Sequence, residues 1–486
     1  MKKIFLNLAF FSFMLSACAQ KQITTKESYT IEELKTDFNI FRAALEEAHP
    51  GIYRYSSKSK MDSVFSAAEV SIDKPMNERE FKILISKVVN QIGCGHTKVV
   101  APKPDQDKLD EGPTAIPFQP FWQDGKLFVL RNFSTVDDKD FLGAEIISIN
   151  GHATADILKD MFSIFPADGN ILTHKYRLIT PPRNFTRYFY YLYGYVESYQ
   201  VEYISMNDST IKKSVLPGLL FDDLITIREK RYASYYLEPP VEFKLLDDKK
   251  SAYLRITSFD KETIGKNKIN FSKFLQTAFK EIETNHVQNL ILDLRYNGGG
   301  TDEYGKLLFS YFINHDFDYY KSLTMNKQSY DFFKYTSRPD MKAPKGMLKA
   351  NEEGTFDDVK HPNFGKQKPS LPTFSGNIYV LINGACFSTT CECLSMIYSY
   401  TKSFFIGEES GGGYYGNNSG PTPDMTLPNT KIRIEIPLMK YVMAAKEYQY
   451  KDQGLIPEHK VVPTIQQRIS DKDPELEFAK KIIDEK

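Results

Sequence analysis

The sequence predicts a mixed α/β protein of several domains, and three observations lead to that prediction. The chain has 486 residues, which is more than one ordinary hydrophobic core organises. Apolar residues recur at helical spacing near the start of the chain, and short strand-like runs separated by turn signals follow them. After about residue 240, strands and helices alternate in the way that is typical of a sheet covered by helices.

The first segment, residues 1–18, has the pattern of a lipoprotein signal peptide. Lys2 and Lys3 precede a mostly apolar run that is too short to span a bilayer. The run ends in Leu15-Ser16-Ala17-Cys18, which resembles the bacterial lipobox. That resemblance implies a lipid on Cys18 and a place in the bacterial cell envelope, by default on the periplasmic side of the outer membrane. An ordinary signal peptide with a chance cysteine is the alternative.

Residues 19–30 are polar and are interpreted as a tether, and residues 31–111 as a small helical domain. Helical spacing of apolar residues runs from Ile31 to Glu47 and from Glu78 to Ile92. The second helix is followed by Gly93-Cys94-Gly95-His96-Thr97, in which two glycines permit tight backbone geometry.

Residues 112–238 are predicted to form a β-rich middle domain. Asp124-Gly125 and Asn150-Gly151 are strong turn signals between short strands. The segment 142–151 resembles the core of PDZ domains, which hold peptides by strand addition. The alternative is a generic β-rich insertion.

Residues 239–486 are predicted to form an α/β domain. The prolines Pro239 and Pro240 mark its start because they favour extended chain. Strands are predicted over 252–256, 290–294, 377–382 and 403–406, with a helix over 389–400. Asp473 is the expected cap of the last helix.

Two strand ends in this domain carry residues that could take part in catalysis or bind an anion. The strand at 290–294 leads into Gly298-Gly299-Gly300, and the strand at 377–382 leads to Ser388. Loops at the carboxyl ends of strands form the crevice of α/β sheets, and glycines there expose backbone N–H groups to an anion. Taken singly, the glycines are explained by a flexible loop and Ser388 by a helix cap.

Taken together, the two segments resemble the catalytic domain of the tricorn and C-terminal processing serine peptidases, over roughly residues 240–465. The pattern of that family is matched by Asp293, Leu294, Arg295, Asn297, Gly299 and Gly300. Gly298 stands where a proline is common. The resemblance implies a serine peptidase that acts on peptides or proteins without a cofactor. It also implies Ser388 as nucleophile, with the backbone N–H groups of Gly299 and Thr389 as oxyanion hole.

The family supplies the base either as a lysine after the nucleophile or as a distant histidine. Gly413 stands where that lysine would be, so the lysine is absent. Cys94-Gly95-His96-Thr97 resembles the Asp-Gly-His-Thr segment of the tricorn-like branch, with Cys94 in place of the usual aspartate. His96 is therefore predicted as the general base. His49 is interpreted as structural.

The acid that orients the histidine is expected just before a Gly-x-x-Pro segment near the C-terminus. Asp452 is the first choice and Glu458 the second, with the register open by a residue.

The remaining cysteines leave two further hypotheses open. Without Cys18 they are four, so a disulfide near the catalytic groups is conceivable in an oxidising compartment. A metal site would use five residues whose spacing does not follow the paired pattern of zinc sites, so we predict no metal. These five are Cys94, His96, Cys386, Cys391 and Cys393.

Charge and fold leave one more alternative to an active enzyme. Lys plus Arg and Asp plus Glu both number 62, so the formal net charge is zero and no nucleic-acid partner is expected. The alternative function is a catalytically inactive, peptide-binding lipoprotein on the same fold. The sequence leaves the oligomeric state open.

Overall fold

The computed structural model describes residues 26–232, 239–248, 250–470 and 472–485. The predicted signal peptide with Cys18, most of the predicted tether and the residues just before Pro239 lie outside this part of the chain. No helix within the described ranges is long and apolar enough to cross a membrane.

Three helices form the N-terminal part of the protein, of which the apolar spacing predicts the first and the third. Helices α1 and α3 each begin with a capping box, in which the cap side chain and a glutamate three residues later satisfy each other's backbone N–H groups. Gly93 ends α3 in the left-handed conformation (φ 70°) and turns the chain toward the His96 segment. The helices are α1 (Ile31–Ala48), α2 (Lys58–Val70) and α3 (Glu78–Ile92).

The middle part contains an antiparallel sheet with the strand order β2-β3-β4-β6-β7, and β5 pairs with β4. Both predicted Asp-Gly and Asn-Gly turns are confirmed, since all four of their residues have positive φ. The strands are β1 (Lys98–Val100), which belongs to another sheet, β2 (Phe118–Gln123), β3 (Lys126–Asn132), β4 (Glu145–Ile149), β5 (His152–Ala153), β6 (Ser198–Ile204) and β7 (Ile211–Pro217).

The middle part is less β-rich than the sequence pattern indicates. Helices occupy much of it because Pro182 starts one of them and the aromatic run around Phe185 and Phe189 is buried along one helix face. The resemblance to PDZ domains stays a prediction. The helices are α4 (Lys103–Glu111), α5 (Asp138–Phe141), α6 (Thr154–Ile164), α7 (Leu172–Leu178), α8 (Pro182–Tyr193) and α9 (Phe221–Arg231).

A six-stranded sheet with the order β22-β17-β16-β10-β9-β8 organises the C-terminal part. Only β8 runs antiparallel to its neighbour, so the carboxyl ends of the other five strands meet at one edge. The predicted α/β alternation is thereby confirmed. The strands are β8 (Val241–Leu245), β9 (Ser251–Ile256), β10 (Asn289–Asp293), β16 (Asn377–Ile382), β17 (Ser403–Gly407) and β22 (His459–Lys460).

Helices flank this sheet, and the last one begins at Pro474 with Asp473 as its cap, as predicted. The helices are α10 (Lys261–Lys266), α11 (Phe271–Thr284), α12 (Asp302–Ser310), α13 (Thr389–Tyr400), α14 (Ile465–Ile469) and α15 (Pro474–Asp484), with a 3₁₀ turn at Asp331–Tyr335.

Smaller sheets connect distant parts of the chain. Their orders are β1-β20-β19, β13-β14-β12-β21-β18 and β11-β15. The remaining strands are β11 (Phe317–Asp318), β12 (Tyr320–Met325), β13 (Leu348–Ala350), β14 (Phe356–Asp358), β15 (Lys366–Gln367), β18 (Asn418–Ser419), β19 (Asp424–Thr426), β20 (Arg433–Glu435) and β21 (Met439–Met443). Strand β1, which directly follows the His96 segment, pairs with β20.

The N-terminal helices share a hydrophobic core with the C-terminal part. Phe38 and Phe81 belong to the same buried cluster as Leu292 and Val380, whereas the middle sheet has a cluster of its own. The His96 segment is therefore held against the C-terminal sheet by packing as well as by strand pairing.

Candidate active site

Ser388 lies at the turn between β16 and α13, where the parallel sheet presents its strand ends. Its backbone has φ 54° and ψ −128°, a conformation that a non-glycine residue rarely adopts. Its side chain makes no capping hydrogen bond to the helix that follows. The helix-cap explanation of Ser388 therefore does not hold, and the strained turn points its hydroxyl elsewhere.

The partner of that hydroxyl is His96, 292 positions earlier in the chain. Nε2 of His96 and Oγ of Ser388 are 3.1 Å apart. The imidazole stacks on Phe387, with 4.6 Å between ring centroids, and His174 stacks on the same residue at 4.3 Å. Burial, and to a lesser extent Lys98, lowers the pKa of His96 to about 3. The ring is therefore neutral at pH 7 and has a lone pair to accept a proton.

The other ring nitrogen of His96 lacks the acid that the sequence suggests. Nδ1 is buried and has no hydrogen-bond partner among the described residues. The carboxylate of Asp452 accepts a hydrogen bond from Asn170, and that of Glu458 accepts one from the Phe405 N–H. Neither carboxylate makes the expected hydrogen bond to His96. Asp452 instead packs against Gly169 and Asn170, in the turn that follows α6.

The glycine segment after β10 approaches Ser388 closely. A Cβ on Gly299, whose φ is 95°, would lie 2.8 Å from Cβ of Ser388 and 3.0 Å from N of Thr389. Only glycine fits this contact. Thr389 is the first residue of α13, so its N–H has no acceptor within the helix. The two predicted oxyanion residues are thus brought together beside the nucleophile.

The hydrogen bonding of Gly299 differs from the expectation. Its N–H donates to Oδ1 of Asn297 at 3.0 Å, because this side chain folds back over the glycine turn. Asn297 also donates to the carbonyl of Ile256 and accepts from the Phe387 N–H. This asparagine therefore ties the glycine segment to β9 and to the Ser388 turn.

The part of the chain that contains Ser388 and the glycine segment is similar to a known protein family. Residues 250–461 match the model described as peptidase family S41. This stretch, rather than the whole chain, is similar to peptidase family S41. The matched residues include Ser388 and the glycine segment, whereas His96 comes from outside them.

The solved structures of CPAF share the fold over most of the chain. Mature CPAF in complex with lactacystin has a TM-score of 0.62 at 13% identity, covering 93% of this chain and 97% of that one. The structure of mature CPAF alone has a TM-score of 0.60 at 13% identity, covering 93% of this chain and 96% of that one. The photosystem II D1 C-terminal processing protease has a TM-score of 0.43 at 13% identity, covering 89% of this chain and 93% of that one. No curated protein matches the chain at a significant level.

The position at which some S41 peptidases carry a lysine has no room for one here. A Cβ on Gly413 would lie 2.6 Å from the hydroxyl of Tyr55. The Gly413 N–H donates to Asp168 at 3.3 Å. The structure therefore leaves His96 as the only basic side chain in hydrogen-bond contact with Ser388 among the described residues.

Asp168 is a residue of this site that the sequence did not reveal. Its buried carboxylate accepts hydrogen bonds from the N–H groups of Gly95 at 2.8 Å and of Gly413. Burial raises the pKa of Asp168 above its usual value. The residue lies between α6 and α7, far from both motifs in sequence, and no local pattern marks it.

The four cysteines within the described residues form no disulfide, since all of them are free and buried. Two of the five residues in the metal hypothesis, Cys94 and His96, have ligand-type atoms that cluster with one of Asp168. Cys391 contacts the backbone carbonyl of Cys386 elsewhere, 3.1 Å from its Sγ.

A cavity of about 290 Å³ opens beside the nucleophile. Its acidic side chains are Asp302 and Glu392, which lie on α12 and α13 respectively. Burial, together with the charge of Asp302, raises the pKa of Glu392 to about 7. The cavity is the size of a side chain or a short peptide segment, and its wall includes His96, Gly300, Ser388, Thr389 and Tyr441.

Proposed function

We propose that this chain is a serine peptidase in which Ser388 is the nucleophile and His96 the general base. The observation that carries the proposal is the 3.1 Å contact between Nε2 of His96 and Oγ of Ser388, made by two segments far apart in the chain. A hydroxyl is a weak nucleophile unless a positioned base takes its proton. The family supports peptides or proteins as the substrate class.

The geometry suits a two-step acyl transfer. Oγ of Ser388 attacks the peptide carbonyl carbon while its proton passes to Nε2 of His96. The C–N bond then breaks, and His96 returns the proton to the leaving amine. Water attacks the acyl-enzyme with His96 as base, which releases the acid product and restores the Ser388 hydroxyl.

The negative charge on the carbonyl oxygen needs donors beside Ser388. The N–H of Thr389 is the first, and its position at the start of α13 adds the favourable end of the helix dipole. Gly299 is the second, provided that substrate binding moves the Asn297 side chain off its N–H.

Replacing the nucleophile tests the proposal. Ser388→Ala is expected to abolish hydrolysis of a mixed peptide library, read by mass spectrometry, while circular dichroism stays unchanged. Ser63→Ala, at an exposed serine of α2, is the matched control and should retain the full rate. Retained hydrolysis in Ser388→Ala would refute the assignment.

The inactive, peptide-binding alternative also has an observation in its favour. Nδ1 of His96 has no hydrogen-bond partner among the described residues, and the Gly299 N–H is already occupied. A fluorophosphonate probe separates the two functions, because an active nucleophile is labelled at Ser388 and an inert one is not.

We also propose lipid attachment at Cys18 and a periplasm-facing position on the membrane. The lipobox resemblance of residues 15–18 supports this proposal. Cys18→Ala should move the protein from the membrane fraction to the soluble fraction, and unchanged fractionation would contradict the anchor.

A further inference from the structure

Three side chains with different donor atoms converge behind the catalytic histidine. One ligand-type atom each from Cys94, His96 and Asp168 lies within 4.8 Å of the other two. Cys94 and Asp168 are buried, with 0% and 1% of their surface exposed. They come from separate parts of the fold, the turn after α3 and the connection between α6 and α7, so the cluster is a product of tertiary structure.

A second observation marks this cluster as incomplete. Nδ1 of His96 is buried without a hydrogen-bond partner among the described residues, although buried polar atoms are ordinarily paired. Sγ of Cys94 lies 3.8 Å from the Asn418 carbonyl oxygen, which is a long contact for a thiol donor. In the His96 tautomer that carries its proton on Nε2, Nδ1 has a lone pair for a metal ion, and so does Sγ of Cys94.

We propose that Cys94, His96 and Asp168 form an inhibitory binding site for Zn²⁺, with water as the fourth ligand. Sulfur, imidazole nitrogen and carboxylate oxygen are the donors that zinc prefers in tetrahedral sites. Bond lengths of about 2.0–2.3 Å put such ligands about 3.5 Å apart, so the three atoms need to close by at most about 1.3 Å. The Gly93 and Gly95 turn that carries Cys94 allows a movement of this size.

Three features of the site limit its affinity for the ion. The Cys94 thiol must release its proton to solvent, and burial raises the pKa of this thiol to about 11. Asp168 keeps its two backbone hydrogen bonds and offers a remaining lone pair. The positive charge of Arg54 acts on Asp168 and opposes a cation. The site is therefore a regulatory one of modest affinity, in contrast to the closed sites that zinc fingers use.

Occupancy removes the base from the reaction. A zinc-bound imidazole has its lone pair in the metal bond, and a ring bound through Nδ1 carries its remaining proton on Nε2. Such a ring donates to Ser388 and is unable to accept its proton. This inhibition rests on the proposed peptidase function, whereas binding of the ion does not.

Binding is tested with Co²⁺ alone on the mature Ser388→Ala chain, by the absorbance of the thiolate–cobalt bond. We expect one ion per chain, and at least about tenfold weaker binding in the Cys94→Ser and Asp168→Asn variants. Cys393→Ser removes another buried free cysteine and should bind as the parent does. Absence of the band at millimolar Co²⁺, or a band that survives Cys94→Ser, would overturn the site.

Inhibition is tested separately with Zn²⁺ on the chain with Ser388 intact. The hydrolysis rate should fall with Zn²⁺, recover with a chelator, and be at least about tenfold less sensitive in Cys94→Ser, each variant measured against its own metal-free rate. Zinc-insensitive hydrolysis would refute the inhibitory role. A chain that binds Co²⁺ but hydrolyses nothing would instead refute the proposed function and leave the site in place.

Discussion

The close approach of Gly299 to Ser388 makes this glycine a sensitive single position. Gly299→Ala places a Cβ 2.8 Å from Cβ of Ser388 at a φ of 95°, so the turn has to shift and the oxyanion donors move with it. We expect kcat to fall by about 10²–10³-fold, the usual loss for one misplaced donor. Gly298→Ala is the control, because nothing lies within 4 Å of its added Cβ. Equal rates for the two variants would contradict the role of Gly299.

Glu392 gives the protein a pH-dependent stability. Burial raises its pKa to about 7 in the folded chain against 4.5 in the unfolded chain. The folded state therefore binds the proton more tightly, and the free energy of unfolding falls as pH rises from 4.5 to 7, by about 2–3 kcal/mol. Glu392→Gln retains an uncharged side chain next to Tyr320 and Asn417.

Urea unfolding at pH 5 and pH 8 checks this expectation. The Glu392→Gln variant should lose part of the pH dependence and be more stable than the parent at pH 8. Glu477→Gln, at an exposed position of α15, should leave the pH dependence unchanged. A parent that is more stable at pH 8 than at pH 5 would show that another group dominates.

The residues of the site divide into those that a local motif marks and those that only the fold brings in. Ser388 and His96 each sit in a recognisable segment, and the structure brings their side chains together. Asp168 follows no motif, because its function depends on the backbone N–H groups of two distant loops. The choice of Asp452 failed to give a contact with His96 because sequence register does not specify which way a loop packs.

At the scale of elements, helix α1 is fastened to the C-terminal part by one buried carboxylate. Asp37 accepts hydrogen bonds from the backbone and side chains of Asn429 and Thr430. Asp37→Ala leaves these donors unpaired, and we expect a loss of about 3 kcal/mol in unfolding free energy by urea titration. Glu32→Ala, on the exposed side of α1, should cost under about 0.5 kcal/mol. Similar losses in both variants would contradict this attachment.

The elements that sequence patterns predicted well are those with strong local signals. Capping boxes, Asp-Gly turns and continuous apolar strands depend on neighbouring residues alone, and α1, α3, β10 and β16 follow them. The aromatic run of α8 lies within the segment predicted to be β-rich, and its composition does not distinguish the two structures because aromatic residues favour both sheets and buried helix faces. The strand pairing of the small sheets could not be predicted from local patterns, since strands such as β1 and β20 are separated by more than 300 residues.

At the scale of the whole molecule, the site forms only when the N-terminal part of the chain packs against the C-terminal part. Strand β1 pairs with β20, and the N-terminal helices share their core with the C-terminal sheet. His96 and Ser388 therefore meet within one copy of the chain. Two copies would have to exchange the entire N-terminal part to share a site, and the common core would be exposed to water while they exchange.

Mixing two inactive variants tests this intramolecular site. The chain carrying His96→Ala and the chain carrying Ser388→Ala should each lack hydrolysis, and their mixture should lack it too, because neither copy holds both residues. Co-refolding the two from denaturant is the stringent version, since it allows exchange while the cores form. A mixture that regained about a quarter or more of the parental rate would show that exchange between copies is easy, because exchanged pairs contain one complete site. The shared core and the β1–β20 pairing predict the opposite result, with activity confined to chains that carry both residues.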